Sequence, residues 1–267
     1  MSASTTVTSY SSASAIPSAS VLVVLPVPPL PLALGMALAE EYDVTVVDAD
    51  MGMANLLFHA GLADVDTTLH DVLVEGGAPV EATVYRRHGM RVVPCGTDLG
   101  GFAAADPTRL REVVATLAAD TDVILFDSAA TLSSRAAVLP IVLADRVVVV
   151  LEPTIPALSD GLKVQEYASS YDTGTAGILF NKVRDDDAID RIAPKAGRYF
   201  EGPTLASVPA SDAVRAARRA GQPLLAHAPE STAAAAYREA AGALSVRDGD
   251  SGRMADRFRS AVVPESP

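Results

Sequence analysis

Tyr42-Asp43-Val44-Thr45-Val46-Val47-Asp48-Ala49-Asp50-Met51-Gly52-Met53-Ala54-Asn55-Leu56 is the stretch on which the fold turns. A short β-branched run, Val44–Val47, ends in two carboxylates one residue apart, followed by a loop containing Gly52 and Asn55. So short and continuous an apolar run reads as a strand buried on both faces, the pattern of a parallel sheet. In open parallel sheets ligands sit beyond the carboxyl ends of the strands, which is where Asp48 and Asp50 fall.

The same alternation of Val/Ile/Leu runs and helical stretches continues on both sides. Strands are predicted over Val21–Leu25, Val44–Val47, Met90–Pro94, Asp122–Asp127, Arg146–Leu151, Ala176–Asn181 and Thr204–Val208. Helices are predicted over Leu32–Glu41, Thr68–Glu75, Pro107–Ala119, Ser134–Leu143, Pro156–Ser170, Ala188–Tyr199, Ala213–Ala220 and Ser231–Leu244. The fold class that follows is α/β, a single doubly wound, mostly parallel sheet flanked by helices. Residues 1–20, rich in Ser and Ala and free of charge, read as a disordered lead-in, 21–246 as one domain, and 247–267 as a flexible tail. Within the tail, Met254, Phe258 and Val262 recur at helical spacing beside Arg253, Arg257 and Arg259, a short amphipathic segment over 253–262.

Apolar residues make up 49% of the 267, aromatics 5%, and Trp is absent, so the core is aliphatic. A net charge of −12 argues against a nucleic-acid surface, which needs clustered positive charge. The first Lys or Arg is Arg86, and only Lys163, Lys182 and Lys195 are lysines. Cys95 is the single cysteine, which excludes an intrachain disulfide and a multi-cysteine cluster within one chain. The apolar run from Val21 is broken for a membrane span by Pro26, Pro28, Pro29 and Pro31, and no positive segment precedes it as in a secretory signal. The expected location is the cytoplasm.

Polar residues close the predicted strands: Asp48 and Asp50, Asp127-Ser128, Glu152, and Asn181-Lys182. Each alone could cap a following helix. As an ordered set they point to a Mg-nucleotide site, and the order resembles the MinD/ParA family of deviant P-loop ATPases, which position division machinery, chromosomes, plasmids and other cell structures. The segments that carry the resemblance are Val46–Leu56, Asp122–Ala130, Leu179–Val183, and Val208-Pro209 followed by Ala213–Ala217. The resemblance implies a P-loop NTPase-like fold with ATP and Mg²⁺ as cofactors. It implies that Asp50 orients the attacking water, that Asp48 is its partner near the metal, and that Asp127 holds Mg²⁺ through water. It places Asn181 on the adenine edge and Pro209 beside the nucleotide.

The chain departs from the family where phosphate should sit. A P-loop needs consecutive backbone N–H groups, glycines, a lysine and a Ser or Thr hydroxyl. Here the slot carries Pro26, Pro28, Pro29 and Pro31, each without an N–H. The first glycine is Gly35, and no Ser or Thr lies between Ser20 and Thr45. The second switch, Asp127-Ser128-Ala129-Ala130-Thr131, lacks the family's Asp-x-Pro-x-Gly proline and glycine. The expectation is therefore a positioning protein of this family whose ATP site is degenerate. It would act as a regulatory or binding partner, pairing with itself or an active relative through the face around Asp50, with no direct nucleic-acid contact. The alternative is an active ATP-hydrolysing ATPase whose N-terminus is mis-stated, as by a shifted reading frame over residues 1–32, or whose phosphate contacts come from a partner. The segment 253–262 offers a weak peripheral membrane contact.

Overall fold

In the computed structural model, residues 19–25, 30–129, 134–184, 186–247, 249 and 251–260 are described. The lead-in through residue 18, residues 26–29 of the proline run, Ala130 and Thr131 of the second switch, and Val262 lie outside them. The elements run β1 (Ser20–Leu25), α1 (Leu30–Leu38), β2 (Val44–Asp48), α2 (Leu56–His59), α3 (Leu69–Val72), β3 (Tyr85–Arg87), β4 (Met90–Val93) and α4 (Leu99–Ala104). They continue with α5 (Leu110–Leu117), β5 (Val123–Asp127), α6 (Arg135–Leu143), β6 (Arg146–Leu151), α7 (Ile155–Ser170), β7 (Gly174–Val183) and α8 (Asp186–Tyr199). The chain then forms β8 (Thr204–Pro209), α9 (Asp212–Arg219), α10 (Leu224–His227), α11 (Thr232–Ala243) and α12 (Ser251–Ser260).

Eight strands form one sheet in the order β3-β4-β2-β5-β1-β6-β7-β8. Every pairing is parallel except the β3–β4 hairpin at one edge. Alternate residues of β1 feed two cores: Val21 and Val23 face one, with α5, α6 and α7, while Leu22 and Val24 face the other, with α1 and α11. This two-sided burial is what the unbroken apolar strands foretold, and it confirms the doubly wound α/β class. Strand β1 lies between β5 and β6, so the order reverses there and the crevice beyond its carboxyl end is the switch point of the sheet. Residues 26–29 join β1 to α1 at that point. Gly35 of α1 has a packing reason, since a Cβ there would lie 2.6 Å from Val46 Cγ2.

All seven expected strands and eight expected helices are present, with ends shifted by a few residues. Strand β3 escaped prediction because Tyr85-Arg86-Arg87 is short, polar and largely exposed, carrying none of the apolar alternation that marks a strand. Helices α2, α4 and α10 are single turns or little more, below the length at which helical periodicity is legible.

The amphipathic segment of the tail is helical as α12, and its stripe faces inward. Met254 is 4% exposed, and Phe258 packs on the core beside Arg111, whose guanidinium lies 5.5 Å from the ring centre. Arg257 is buried and donates to the carbonyls of Val142 (3.1 Å) and Ala144 (2.9 Å), groups that the C-terminus of α6 leaves without helical partners. It also lies 3.6 Å from Asp145, which accepts a hydrogen bond from Val21 N at 2.9 Å. One arginine thus joins α12 to the end of α6 and the start of β1. Among the described residues no helix is long and apolar enough to cross a membrane.

Because those carbonyls would lose a charged donor in a buried place, Arg257→Ala is expected to cost about 2 kcal/mol in urea unfolding. Exposed Arg259, paired with Asp256, should change stability by less than about 0.5 kcal/mol when cut to Ala. Equal effects of the two substitutions would contradict the docking role of Arg257.

Candidate functional site

Strands β2 and β5 are neighbours in parallel register, and the register sets Asp48 opposite Asp127. The chain leaves β2 under the control of the Asp48 carboxylate. Its Oδ2 accepts from Leu56 N (3.1 Å) and its Oδ1 from Asp50 N (3.3 Å), folding the 49–55 loop back over the strand end. Asp50 repeats the device at smaller scale, accepting from Met53 N at 3.1 Å. Ala49 N donates to Asp127 O (2.8 Å), which sews the loop to β5. Among the described residues no donor reaches the Asp127 carboxylate, and the buried Ser128 hydroxyl beside it has no hydrogen-bond partner.

Two buried carboxylates, Asp48 and Asp127, are therefore held beside the half-buried Asp50. Burial pushes the Asp48 carboxyl up to about 7, with the charge of Asp50 adding to it and the N–H of Leu56 opposing. Asp127 is raised well above the carboxylate range by burial, then by Asp48 and Asp50, and Asp50 is raised by its own burial. No arginine or lysine among the described residues balances them. Nor do three His, Cys, Asp or Glu side chains converge closely enough to ligate a metal directly, so a cation here would keep its water shell. Buried Cys95 lies near the same group, its thiol driven upward by burial and then by Asp48, which keeps it protonated and unreactive.

Asn181 and Pro209 stand apart from this trio, at the ends of β7 and β8. Asn181 turns its carboxamide oxygen to accept from Lys182 N (2.8 Å), and Lys182, at a left-handed φ of 55°, pairs with Glu152 of the β6 end at 2.7 Å. Pro209 is in register with Val183 and lines a cavity of about 760 Å³ with Arg184, Ser207 and Glu239. Asn181 is not among its lining residues. A larger cavity of about 970 Å³ lies at the opposite, amino end of the strands, between Asp43, Arg91, Asp122 and Arg247, far from the carboxylates. It belongs to loops rather than to the switch point.

Sequence reasoning missed what surrounds the trio. His70 of α3 is 3% exposed, and neither ring nitrogen has a hydrogen-bond partner. The Met51 main chain faces the ring too loosely to count as a bond, and burial holds the imidazole below its usual range. Phe102 of α4 leans over it with ring centres 6.3 Å apart. No motif marks either residue, because loop folding rather than spacing brings them to the site.

Carboxyls whose pKa is raised on folding take up protons as the chain folds, so their contribution is full below about pH 4 and is lost as pH rises towards 7. Burial of His70 works the other way, so the difference between variant and parent is the clean readout. Without divalent cations, Asp127→Asn should match the parent in stability at pH 5 and exceed it at pH 8, by on the order of 1–3 kcal/mol. A variant less stable than the parent at pH 8 would contradict the arrangement.

Comparison with known proteins agrees with this fold. The family model for 4Fe-4S iron sulfur cluster binding proteins, NifH/frxC family, matches residues 50–251. An uncharacterized ATP-binding protein of Methanocaldococcus jannaschii is 33% identical over 180 residues, 67% of each chain. The solved cell division ATPase MinD of Pyrococcus furiosus superposes with a TM-score of 0.72 at 28% identity, covering 84% of this chain and 97% of that one. The septum site-determining protein MinD of Pyrococcus horikoshii, complexed with Mg-ADP, gives 0.71 at 27% identity, covering 84% and 94%. An iron–sulfur cluster does not fit here: such clusters are held by several thiolates, and this chain offers one buried, protonated cysteine. With the family model matched over residues 50–251 and the MinD structures superposed over 84% of this chain, the chain belongs to the NifH/frxC family and to the MinD/ParA ATPases that share its fold.

Proposed function

We propose that this protein serves in the spatial positioning of a division site, a chromosome or plasmid, or another cell structure, as a regulatory or binding partner whose nucleotide switch is degenerate. The observation that carries the reading is the contrast between two halves of one site. The carboxylate half is assembled, with Asp48, Asp50 and Asp127 at adjacent strand ends. The phosphate half is missing from the sequence between Val21 and Leu34, which holds no glycine, lysine, serine or threonine.

The carboxylate half suits a hydrated Mg²⁺. Asp127, with no protein donor among the described residues, would accept from the metal's water shell, Asp48 would fix the loop, and Asp50 would orient a water molecule. The cation would supply the positive charge that these three carboxylates lack. The phosphate half does not suit a triphosphate. Phosphoryl transfer depends on cradling and neutralising the transferred group, and prolines give neither donors nor charge. No hydrolysis step follows for this chain alone. ATP with Mg²⁺ remains the ligand if a partner supplies those contacts, and retention of all three carboxylates supports that second reading.

Partner binding falls to the face around Asp50, either with a second copy or with an active relative. The cytoplasm suits that role. Membrane attachment through 253–262 is not supported, because Met254 and Phe258 are spent on the protein's own core.

Calorimetry of Mg-ATP on the full chain tests the reading. The expected result is no binding at millimolar nucleotide. Micromolar binding that Asp127→Ala abolishes would overturn it and establish an intact site.

A further inference from the structure

At the amino end of the strands, opposite the end that carries Asp48 and Asp127, a cavity of about 400 Å³ lies beside the start of β1. The first residues of β1, β6 and β7 wall it, together with the chain that leads into α12. Four arginines line it, Arg146, Arg247, Arg253 and Arg257, against three acids, Asp145, Asp172 and Glu201. Two of these charges are committed to the fold. Arg257 closes the end of α6, and Asp145 lies beside it while accepting from Val21 N. Arg247, Arg253, Asp172 and Glu201 are exposed and form the mouth, so a ligand can enter from solvent.

Arg146 and Arg247 are the charges that the fold leaves unbalanced. Half-buried Arg146 gives one N–H to Ser245 O at 2.5 Å, and Arg247 gives its Nε–H to Ser245 Oγ at 3.2 Å. A guanidinium has five N–H donors, so most of each fork has no protein acceptor among the described residues. Neither makes an ion pair among those residues. The two cations are brought together on one residue: burial, and then the charge of Arg247, hold Arg146 below its usual pKa, with Asp145 opposing. Like charges so placed repel unless an anion joins them.

Ser20 is an independent mark of the same place. It lines the cavity, is 1% exposed, and its hydroxyl has no hydrogen-bond partner. Burying an unpaired hydroxyl costs stability, and it adds nothing to the packing of an apolar strand. An oxyanion would accept from the hydroxyl and from both guanidinium forks at once.

We infer that this cavity is an anion site in which Arg146, Arg247 and Ser20 hold a phosphate group, either free or as the monoester of a small metabolite. Planar guanidinium forks match phosphate oxygens in pairs. Asp172 and Glu201 at the mouth would accept from hydroxyls on the rest of an ester. The site is separate from the switch point, and its occupant does not depend on the fate of the nucleotide site.

The test is a titration of the full chain with sodium phosphate at constant ionic strength, followed by the arginine Nε–Hε signals in NMR. Phosphate should shift the Arg146 and Arg247 signals saturably, and chloride at equal ionic strength should not. Arg247→Gln, at an exposed position, should weaken binding roughly tenfold with an unchanged melting temperature. Ser20→Ala removes a hydroxyl that has no protein partner, so it should keep the melting temperature while phosphate binding falls about threefold. Ribose 5-phosphate, titrated in parallel, separates the sources: tighter binding of the ester assigns the site to a phosphorylated metabolite, and tighter binding of inorganic phosphate assigns it to the free ion. Absence of a saturable shift, an equal response to chloride, or phosphate binding that either variant leaves unchanged overturns the inference. Nucleotide is absent throughout, so the outcome is independent of the calorimetric test of the ATP site.

Discussion

Parallel pairing of β2 with β5 sets Asp48 and Asp127 side by side, and their neighbours then remove water from both. Buried like charges are expensive unless a proton or a cation joins them. Everything characteristic of this face follows from that constraint. The 49–55 loop folds back because, among the described residues, Asp50 N and Leu56 N are the donors that reach the Asp48 carboxylate. Cys95 stays protonated beneath it.

The sheet was legible because a strand buried on both faces has to be continuously apolar, and Arg146–Leu151 and Val123–Asp127 could hardly be anything else. The positions of Asp48 and Asp127 were legible for the same reason, since each is the first polar residue after such a run, and Asp50 follows Asp48 by two. Asn181 illustrates where this reasoning stops. Its place at a strand end was plain, but not that its carboxamide would turn onto Lys182 N beside a left-handed backbone. His70 and Phe102 reach the site through loop conformation, which spacing along the chain does not encode. The amphipathic tail was visible as a pattern, and only packing reveals that its arginine closes the end of α6.

That closure bears on the site indirectly. Helix α6 follows the β5 end, where Asp127 lies, and runs to the carbonyls that Arg257 engages. Asp145 ties the same arginine to the first residues of β1. The two strands that frame the switch point are thus braced from the far end of the sheet.

The central claim is that Asp48 and Asp127 are desolvated together beside half-buried Asp50, with no arginine or lysine among the described residues to balance them. Carbon-13 NMR titration of aspartate carboxyls in the metal-free protein tests it most directly. Asp48 should titrate near 7, with Asp127 also far above the exposed aspartates. Titration of all three among the exposed aspartates, near pH 4, would contradict the account.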